Sequence, residues 1–157
     1  MTPVTDPETP AGIAVEFDNV SIVFGDRPEK ALPLMDKGQS RPEVQEACGQ
    51  VLGVHNCSLT VAQGEILVLM GLSGSGKSTL IRHVNRLIEP TAGEILVNGE
   101  NILVFGEARL RELRRTQMSM VFQHFALLPH ETVLDNAGMA RSVRGEDRSA
   151  YEKDALN

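Results

Sequence analysis

Apolar and polar positions along the chain follow two periods, one typical of strands and one typical of helices. Two short β-prone runs, residues 13–17 and 20–24, are separated by a polar pair that predicts a turn or bulge. Residues 58–62 predict another short strand. The continuous apolar run at residues 66–70 is typical of a strand that is buried on both faces. The first half of the chain is therefore predicted to be rich in strands.

A helix and a hairpin are predicted next. Helical spacing begins at residue 79 and ends at Pro90, and its apolar face consists of Leu80, Ile81, Val84, Leu87 and Ile88. Residues 94–97 predict a strand. Asn98-Gly99 is the dipeptide that favours a tight hairpin, so residues 102–105 are expected to return as the partner strand.

The last third of the chain is predicted to be mainly helical. Residues 107–115 have helical spacing, whereas residues 118–122 form a second apolar run that predicts a buried parallel strand. Thr132 can cap a helix over residues 133–143, and Ser149 can start another. The helix predicted at residues 107–115 carries four arginines, Arg109, Arg111, Arg114 and Arg115. We favour a solvated helix face for them over contact with phosphate.

A polar, proline-containing stretch at residues 26–53 is typical of an insertion. It includes a helix-compatible segment, residues 42–52, with Ser40 and Glu43 in the positions of a capping box. Residues 1–12 are rich in proline, threonine and acidic side chains, which cannot bury enough apolar surface to offset the entropy of ordering. We expect a disordered tail there.

A glycine-rich stretch joins the strand predicted at residues 66–70 to the helix after it. Its residues are Gly71, Leu72, Ser73, Gly74, Ser75, Gly76, Lys77, Ser78 and Thr79. The spacing G-x-x-x-x-G-K-S lets backbone N–H groups converge on a polyphosphate in front of a helix N-terminus. A flexible Gly/Ser connection is the competing interpretation, but the order of strand, loop and helix favours a phosphate-binding loop.

Three polar side chains of this loop have separate predicted roles. Lys77 is expected to reach the β- and γ-phosphates of a nucleotide, and the Ser78 hydroxyl is expected to ligate the Mg²⁺ that bridges them. Thr79 is expected at the α-phosphate. The loop therefore predicts a nucleoside triphosphate and magnesium as ligands.

Two residues outside the loop each keep two interpretations. The residue type of Phe24 favours a core position, and the alternative is that it presents its ring to a nucleotide base. Gln123 follows the run at residues 118–122, at the carboxyl end of a predicted strand, where its carbonyl can meet the metal or a water. A solvated strand end explains Gln123 equally well. His124 and His130 have no Cys or acidic partner at ligand spacing, so we assign no metal site to them.

Composition narrows the class of protein. A chain of 157 residues, 41% of them hydrophobic, predicts one domain. Its 15 Lys and Arg residues against 21 Asp and Glu residues give a net charge of −6, which argues against nucleic acid and anionic lipid as partners. The sequence shows neither a secretion signal nor an apolar run of membrane-spanning length, so we expect a cytosolic chain. Cys48 and Cys57 are expected to be free thiols.

Residues 13 to about 140 resemble the N-terminal half of the ATPase subunit of ABC transporters. In this resemblance residues 71–79 are the Walker A motif and residues 120–123 are the Q-loop. The sequence also resembles one class of importers, the quaternary-amine class, which takes up choline, glycine betaine or proline. This resemblance lies in Walker A with its continuation into residues 85–90, in the insertion, and in residues 125–130. The implied fold is an α/β P-loop NTPase with an ABC-type ATPase core and an N-terminal antiparallel β subdomain.

The resemblance also implies residue roles and partners. Phe24 becomes the aromatic residue that stacks on adenine, and Gln123 couples Mg²⁺ and the attacking water to the membrane subunit. ATP is held between two ATPase subunits packed head to tail. These drive two membrane-spanning permease subunits from the cytoplasmic face of the membrane, and a substrate-binding protein delivers the amine.

Residues 13–157 are, by this resemblance, the N-terminal part of one ATP-binding domain. The sequence contains no Leu-Ser-Gly-Gly-Gln signature beyond the loop, no Walker B Asp with its following Glu, no D-loop and no switch His. We therefore expect nucleotide binding with little or no hydrolysis by this chain alone. Three alternatives remain. These are a nucleotide-binding module without catalysis, an ATPase subunit of another importer class, and a P-loop kinase or GTPase, for which the expected motifs are absent.

Overall fold

The computed structural model describes residues 12–122 and 127–155 of the chain. Most of the tail predicted at residues 1–12 therefore lies outside the described residues. The chain divides into two compact units, Met1–Phe105 and Gly106–Asn157, which are described separately below.

The first unit is built on a four-stranded antiparallel sheet. Its strands are β1 (Ile13–Phe24), β2 (Val51–Ala62), β3 (Ala92–Val97) and β4 (Glu100–Asn101), in the spatial order β2-β1-β3-β4. Strand β3 buries the alternate residues Ile95 and Val97, as the period of a strand predicts, whereas β1 buries four consecutive residues, 20–23. The buried apolar side chains of the sheet are Phe17, Val20, Ile22, Val23, Ile95 and Val97.

The polar break predicted between two short strands is a bulge inside one long strand. The pairing of β1 with β2 shifts between Phe17 and Val20, where Asn19 has a φ of 50°. The backbone N–H of Asn19 donates to Ser58 Oγ at 2.9 Å. The extra residue therefore leaves the ladder but keeps a hydrogen-bond partner.

The predicted hairpin is present, but its return strand is shorter than expected. Asn98 and Gly99 have φ values of 50° and 79°, the left-handed pair that a tight hairpin turn requires. The returning strand β4 has only two residues, and a 3₁₀ helix at Ile102–Val104 replaces the strand predicted at residues 102–105. The side chain of Asn101 accepts a hydrogen bond from the Leu103 N–H, which starts this turn in place of strand pairing.

The insertion folds as two short helices that pack against side chains of β1 and β2. After a 3₁₀ turn at Pro28–Lys30 come helices α1 (Leu32–Asp36) and α2 (Arg41–Cys48). The predicted capping box is present at the start of α2. The helix ends at Cys48 and not at residue 52, because Gly49 takes a left-handed φ of 69°. Strand β2 consequently begins at Val51, well before the strand predicted at residues 58–62.

Helix α3 (Lys77–Val84) is shorter than its apolar pattern predicts. The chain turns at Arg86, whose φ is 46°, and the Leu87 N–H donates to Arg82 O at 3.0 Å, as in a Schellman ending. The expected continuation to Pro90 is therefore wrong. Leu80 is buried as predicted, but the Leu87 side chain is 48% exposed.

The two strands predicted from continuous apolar runs are not formed. Residues 66–70 and 118–122 belong to no strand, and Ile66 and Val121 are 90% and 96% exposed. No strand in the described part of the chain pairs with either run. An apolar run can favour burial, but a strand exists only where a second strand supplies the hydrogen bonds of the ladder.

The described residues of the second unit, 106–122 and 127–155, form three helices, α4 (Glu107–Thr116), α5 (Val133–Val143) and α6 (Arg148–Ala155). Helix α4 buries Leu110 and Leu113, and of its four arginines only Arg114 is half-buried, which confirms the predicted polar face. Thr132 caps α5 by accepting from the Asp135 N–H, as predicted. None of the helices in residues 12–122 and 127–155 has the length and apolar character of a membrane span.

Candidate nucleotide-binding site

The glycine-rich stretch forms a tight loop that leads directly into helix α3. Gly71, Gly74 and Gly76 have φ values of 154°, 77° and 95°, all in the range that side chains disfavour. Gly76 is the N-cap of α3, and the first hydrogen bond of the helix runs from the Leu80 N–H to Gly76 O at 2.8 Å. The N–H groups in the first turn have no acceptor inside the helix and are available to an anion.

Lys77 lies against the backbone of this loop. Its ammonium donates to Gly71 O and Leu72 O, both at 2.8 Å, and to Ser75 Oγ at 3.2 Å. The three donors of the ammonium are thus directed at oxygen atoms of the loop. A phosphate oxygen bears a full negative charge and is a stronger acceptor than a carbonyl, so it can replace these partners.

The other polar residues of the loop are accessible. Ser73, Ser75 and Ser78 are exposed, and Thr79 is half-buried in the first turn of α3. The Ser78 hydroxyl follows Lys77 directly and is a hard oxygen donor. Magnesium in such sites takes one or two protein oxygens and completes its shell with phosphate and water. The residues present therefore fit a magnesium nucleotide.

Strand β2 supports the loop from the sheet. A Cβ atom added at Gly76 would lie 2.9 Å from both Gly53 O and Val54 Cγ2. A Cβ atom added at Gly53 would lie 3.0 Å from Cε2 of Phe24. Gly53 is thus a close neighbour of both the phosphate loop and the Phe24 ring.

Phe24 is not a core residue. It is the last residue of β1, pairs with Val51 of β2, and is 40% exposed. The core position favoured by its residue type is therefore wrong, and its stacking on a base stays a prediction. Gln123 lies outside the described residues, and so does any contact it makes with the loop.

One residue that contacts the loop was not found from the sequence. The guanidinium of Arg41, in the insertion, donates to Gly74 O and to Gly53 O, each at 2.9 Å. The capping box predicts where α2 begins, but no local pattern indicates which carbonyl groups its first side chain will reach.

A loop of glycines with positive φ, followed by a lysine in the first turn of a helix, is the arrangement of a phosphate-binding loop. The family model described as "ABC transporter" matches residues 54–156. The chain therefore belongs to the ABC transporter family, and its fold is that of the ABC-type ATPase, as the sequence predicted. A solved relative, the ATP-binding cassette MJ0796 as a post-hydrolysis dimer with ADP and Pi, superposes with a TM-score of 0.70 and 26% identity. It is matched over 90% of this chain and 54% of its own.

Curated relatives are transport ATP-binding proteins. The glycine betaine/proline betaine transport system ATP-binding protein ProV of Escherichia coli K12 is 46% identical over 147 residues, covering 92% of this chain. The glycine betaine transport ATP-binding protein OpuAA of Bacillus subtilis 168 is 44% identical and also covers 92%. The trimethylamine N-oxide transport system ATP-binding protein TmoW of Ruegeria pomeroyi is 50% identical over 138 residues. The chain spans 37%, 34% and 40% of the lengths of these three relatives.

Proposed function

We propose that the chain is the nucleotide-binding part of the ATPase subunit of an importer of the quaternary-amine class, for a solute such as glycine betaine, choline or proline. The observation that carries this proposal is the loop at residues 71–79, with its lysine directed at loop oxygens. The names of the relatives support the class of solute, since they include transporters of glycine betaine, proline betaine and trimethylamine N-oxide.

The residues of the loop have separate roles in this proposal. The N–H groups at the start of α3 and the Lys77 ammonium hold the β- and γ-phosphates of ATP. The Ser78 hydroxyl, together with Gln123, holds Mg²⁺, which supplies positive charge to the phosphate oxygens when bound. Thr79 contacts the α-phosphate, and Phe24 stacks on adenine. The exposure of the Phe24 ring at the end of β1 and its contact with Gly53 support this last role.

The partners in this proposal follow from the family. A second ATPase subunit packs against the first, two permease subunits cross the membrane, and a substrate-binding protein delivers the amine. Two findings support the assembly: the dimeric form of the solved relative and the transport-system names of the curated ones. The subunit then acts at the cytoplasmic face of the membrane.

The experiment is a titration of the 157-residue chain with a fluorescent ATP analogue in the presence of magnesium. We expect saturable binding that unlabelled ATP displaces. In Lys77→Ala we expect affinity to fall by about tenfold to a hundredfold, since a charged hydrogen bond to phosphate is lost. Lys37→Ala, which removes one exposed charge from the insertion, is the matched control and should bind as the wild type does. Equal binding by wild type and Lys77→Ala, or no binding by either, would contradict the proposal.

Release of inorganic phosphate separates the ATPase subunit from its alternatives. We expect turnover close to background for this chain alone, because the sequence carries no Walker B carboxylate and no signature motif. Rapid turnover without any partner would instead favour a self-sufficient P-loop enzyme. Equal affinity of the wild type and Phe24→Ala for ATP would remove the stacking role given to Phe24.

A further inference from the structure

Arg41 joins the insertion to the phosphate loop through two backbone carbonyl groups. Its Nη1–H donates to Gly74 O and its Nη2–H donates to Gly53 O, each at 2.9 Å. The first carbonyl belongs to the loop and the second to strand β2. The planar fork of a guanidinium suits this arrangement, because its two terminal nitrogens diverge in a fixed geometry.

The position of Arg41 is itself fixed by its helix. Arg41 is the first residue of α2, directly after Ser40, whose N–H and hydroxyl both donate to Glu43 Oε2 at 2.7 Å. Val44, one turn later on the same face, is fully buried in the cluster formed with Val23, Ala31, Met35 and partly buried neighbours. The guanidinium therefore extends from an anchored helix turn and not from a free loop.

The carbonyl groups of the loop are divided between two cations. Lys77 holds Gly71 O and Leu72 O, whereas Arg41 holds Gly74 O. When Lys77 turns to a phosphate group, it releases its carbonyl partners. The hydrogen bonds of Arg41 involve no group assigned to the nucleotide, so they can persist.

The hydrogen bond at Gly74 also fixes the next N–H. The Gly74 carbonyl and the Ser75 N–H share one planar peptide and point in opposite directions. The Ser75 N–H donates to Leu72 O at 3.2 Å, at the long end of the range for such bonds, so a phosphate oxygen can replace this acceptor. Holding the Gly74 carbonyl therefore sets the direction of an amide that can serve the anion.

We propose that Arg41 is a positioning residue for nucleotide binding, through which the insertion at residues 26–53 holds the phosphate loop on strand β2. This inference rests on the proposed function, since it assigns Arg41 to the same site. Arg41 does not touch the nucleotide. By holding the loop in place before binding, it reduces the conformational entropy that the loop loses when the nucleotide binds.

Two measurements on the 157-residue chain test this role. The first is hydrogen–deuterium exchange of the peptide spanning residues 71–79 without nucleotide. The second is the dissociation constant for magnesium ATP. The variants are Arg41→Gln, Arg41→Lys and the matched charge control Lys37→Gln. Lys37 is an exposed residue of the same insertion, with no hydrogen bond to the loop among the described residues. Circular dichroism verifies that each variant is folded.

We expect Arg41→Gln to speed exchange in the loop peptide and to raise the dissociation constant about fivefold to tenfold. This is less than the loss of a charge-assisted hydrogen bond made to the nucleotide itself, because Arg41 acts through the loop. Lys37→Gln should match the wild type in both measurements. Arg41→Lys should recover only part of the loss, because one ammonium does not reproduce the fork.

Each other outcome has a definite meaning. Loop exchange that is unchanged in Arg41→Gln would overturn the inference, whatever the affinity. Full recovery by Arg41→Lys would show that charge alone matters and would overturn the role of the fork. If the wild type binds no nucleotide while Arg41→Gln still loosens the loop, the proposed function fails and the positioning of the loop by Arg41 stands.

Discussion

Replacing Gly76 with alanine tests how closely the phosphate loop packs on strand β2. Gly76 has a φ of 95°, and an added Cβ would lie 2.9 Å from Gly53 O and from Val54 Cγ2. The left-handed conformation costs a non-glycine residue about 1–2 kcal/mol. Overpacking against a fixed backbone oxygen adds about 1–3 kcal/mol, because the loop or the strand must move. We expect Gly76→Ala to lower the free energy of unfolding by about 2–5 kcal/mol.

Gly74 provides the matched control within the same loop. Its φ is 77°, but an added Cβ would have no atom within 4 Å. Gly74→Ala should therefore cost only the backbone term, about 1–2 kcal/mol. The difference between the losses of unfolding free energy in the two variants measures the contact with β2, since both variants carry a left-handed alanine.

The assay is urea unfolding at neutral pH, followed by circular dichroism near the strand minimum. All strands in the described part of the chain lie in the first unit, so this signal reports the unit that contains the loop. The free energies of unfolding can be compared when their dependence on urea concentration has the same slope in the wild type and in both variants. Equal losses in Gly76→Ala and Gly74→Ala would refute the close packing of the loop on β2.

Two further predictions concern titratable groups outside the loop. The Ser40 hydroxyl, and then the Ser40 N–H, donate to Glu43 and hold the pKa of its carboxyl below the ordinary value of 4.5, so this group stabilises the fold above that pH. Glu43→Ala should lower Tm at pH 7, and the gap to wild type should narrow as pH falls through the lowered pKa. A gap independent of pH would contradict this. Burial raises the pKa of the Cys57 thiol above 9.0. In a Cys48→Ser background, iodoacetamide should therefore alkylate folded chain more slowly at pH 8 than chain unfolded in urea, and equal rates would contradict the burial.

Features encoded within a few residues were predictable from the sequence. The glycine pattern of the phosphate loop, the capping box at Ser40 and Glu43, and the turn at Asn98 and Gly99 each rest on local chemistry. The structure shows each of them at the expected place. Element boundaries were less predictable, because a single left-handed residue such as Arg86 ends a helix whose apolar spacing continues.

Features that depend on distant partners were not predictable. Arg41 is separated by 33 residues from Gly74, and nothing in the sequence near either one indicates their hydrogen bond. Phe24 has the residue type of a core position, and its exposure follows from where β1 ends against β2. In both cases the decisive contact joins residues that are far apart in the sequence, which local patterns do not describe.

The apolar run at residues 66–70 shows how contacts between distant residues hold the phosphate loop. In a phosphate-binding loop protein the strand before the loop is expected to hold it, yet here that run is unpaired and Ile66 is 90% exposed. The loop nonetheless has a defined shape, because Gly53 and Val54 of β2 contact it at Gly76 and Arg41 holds it at Gly74. The antiparallel sheet and the insertion therefore contact the loop directly, at two of the glycines that shape it.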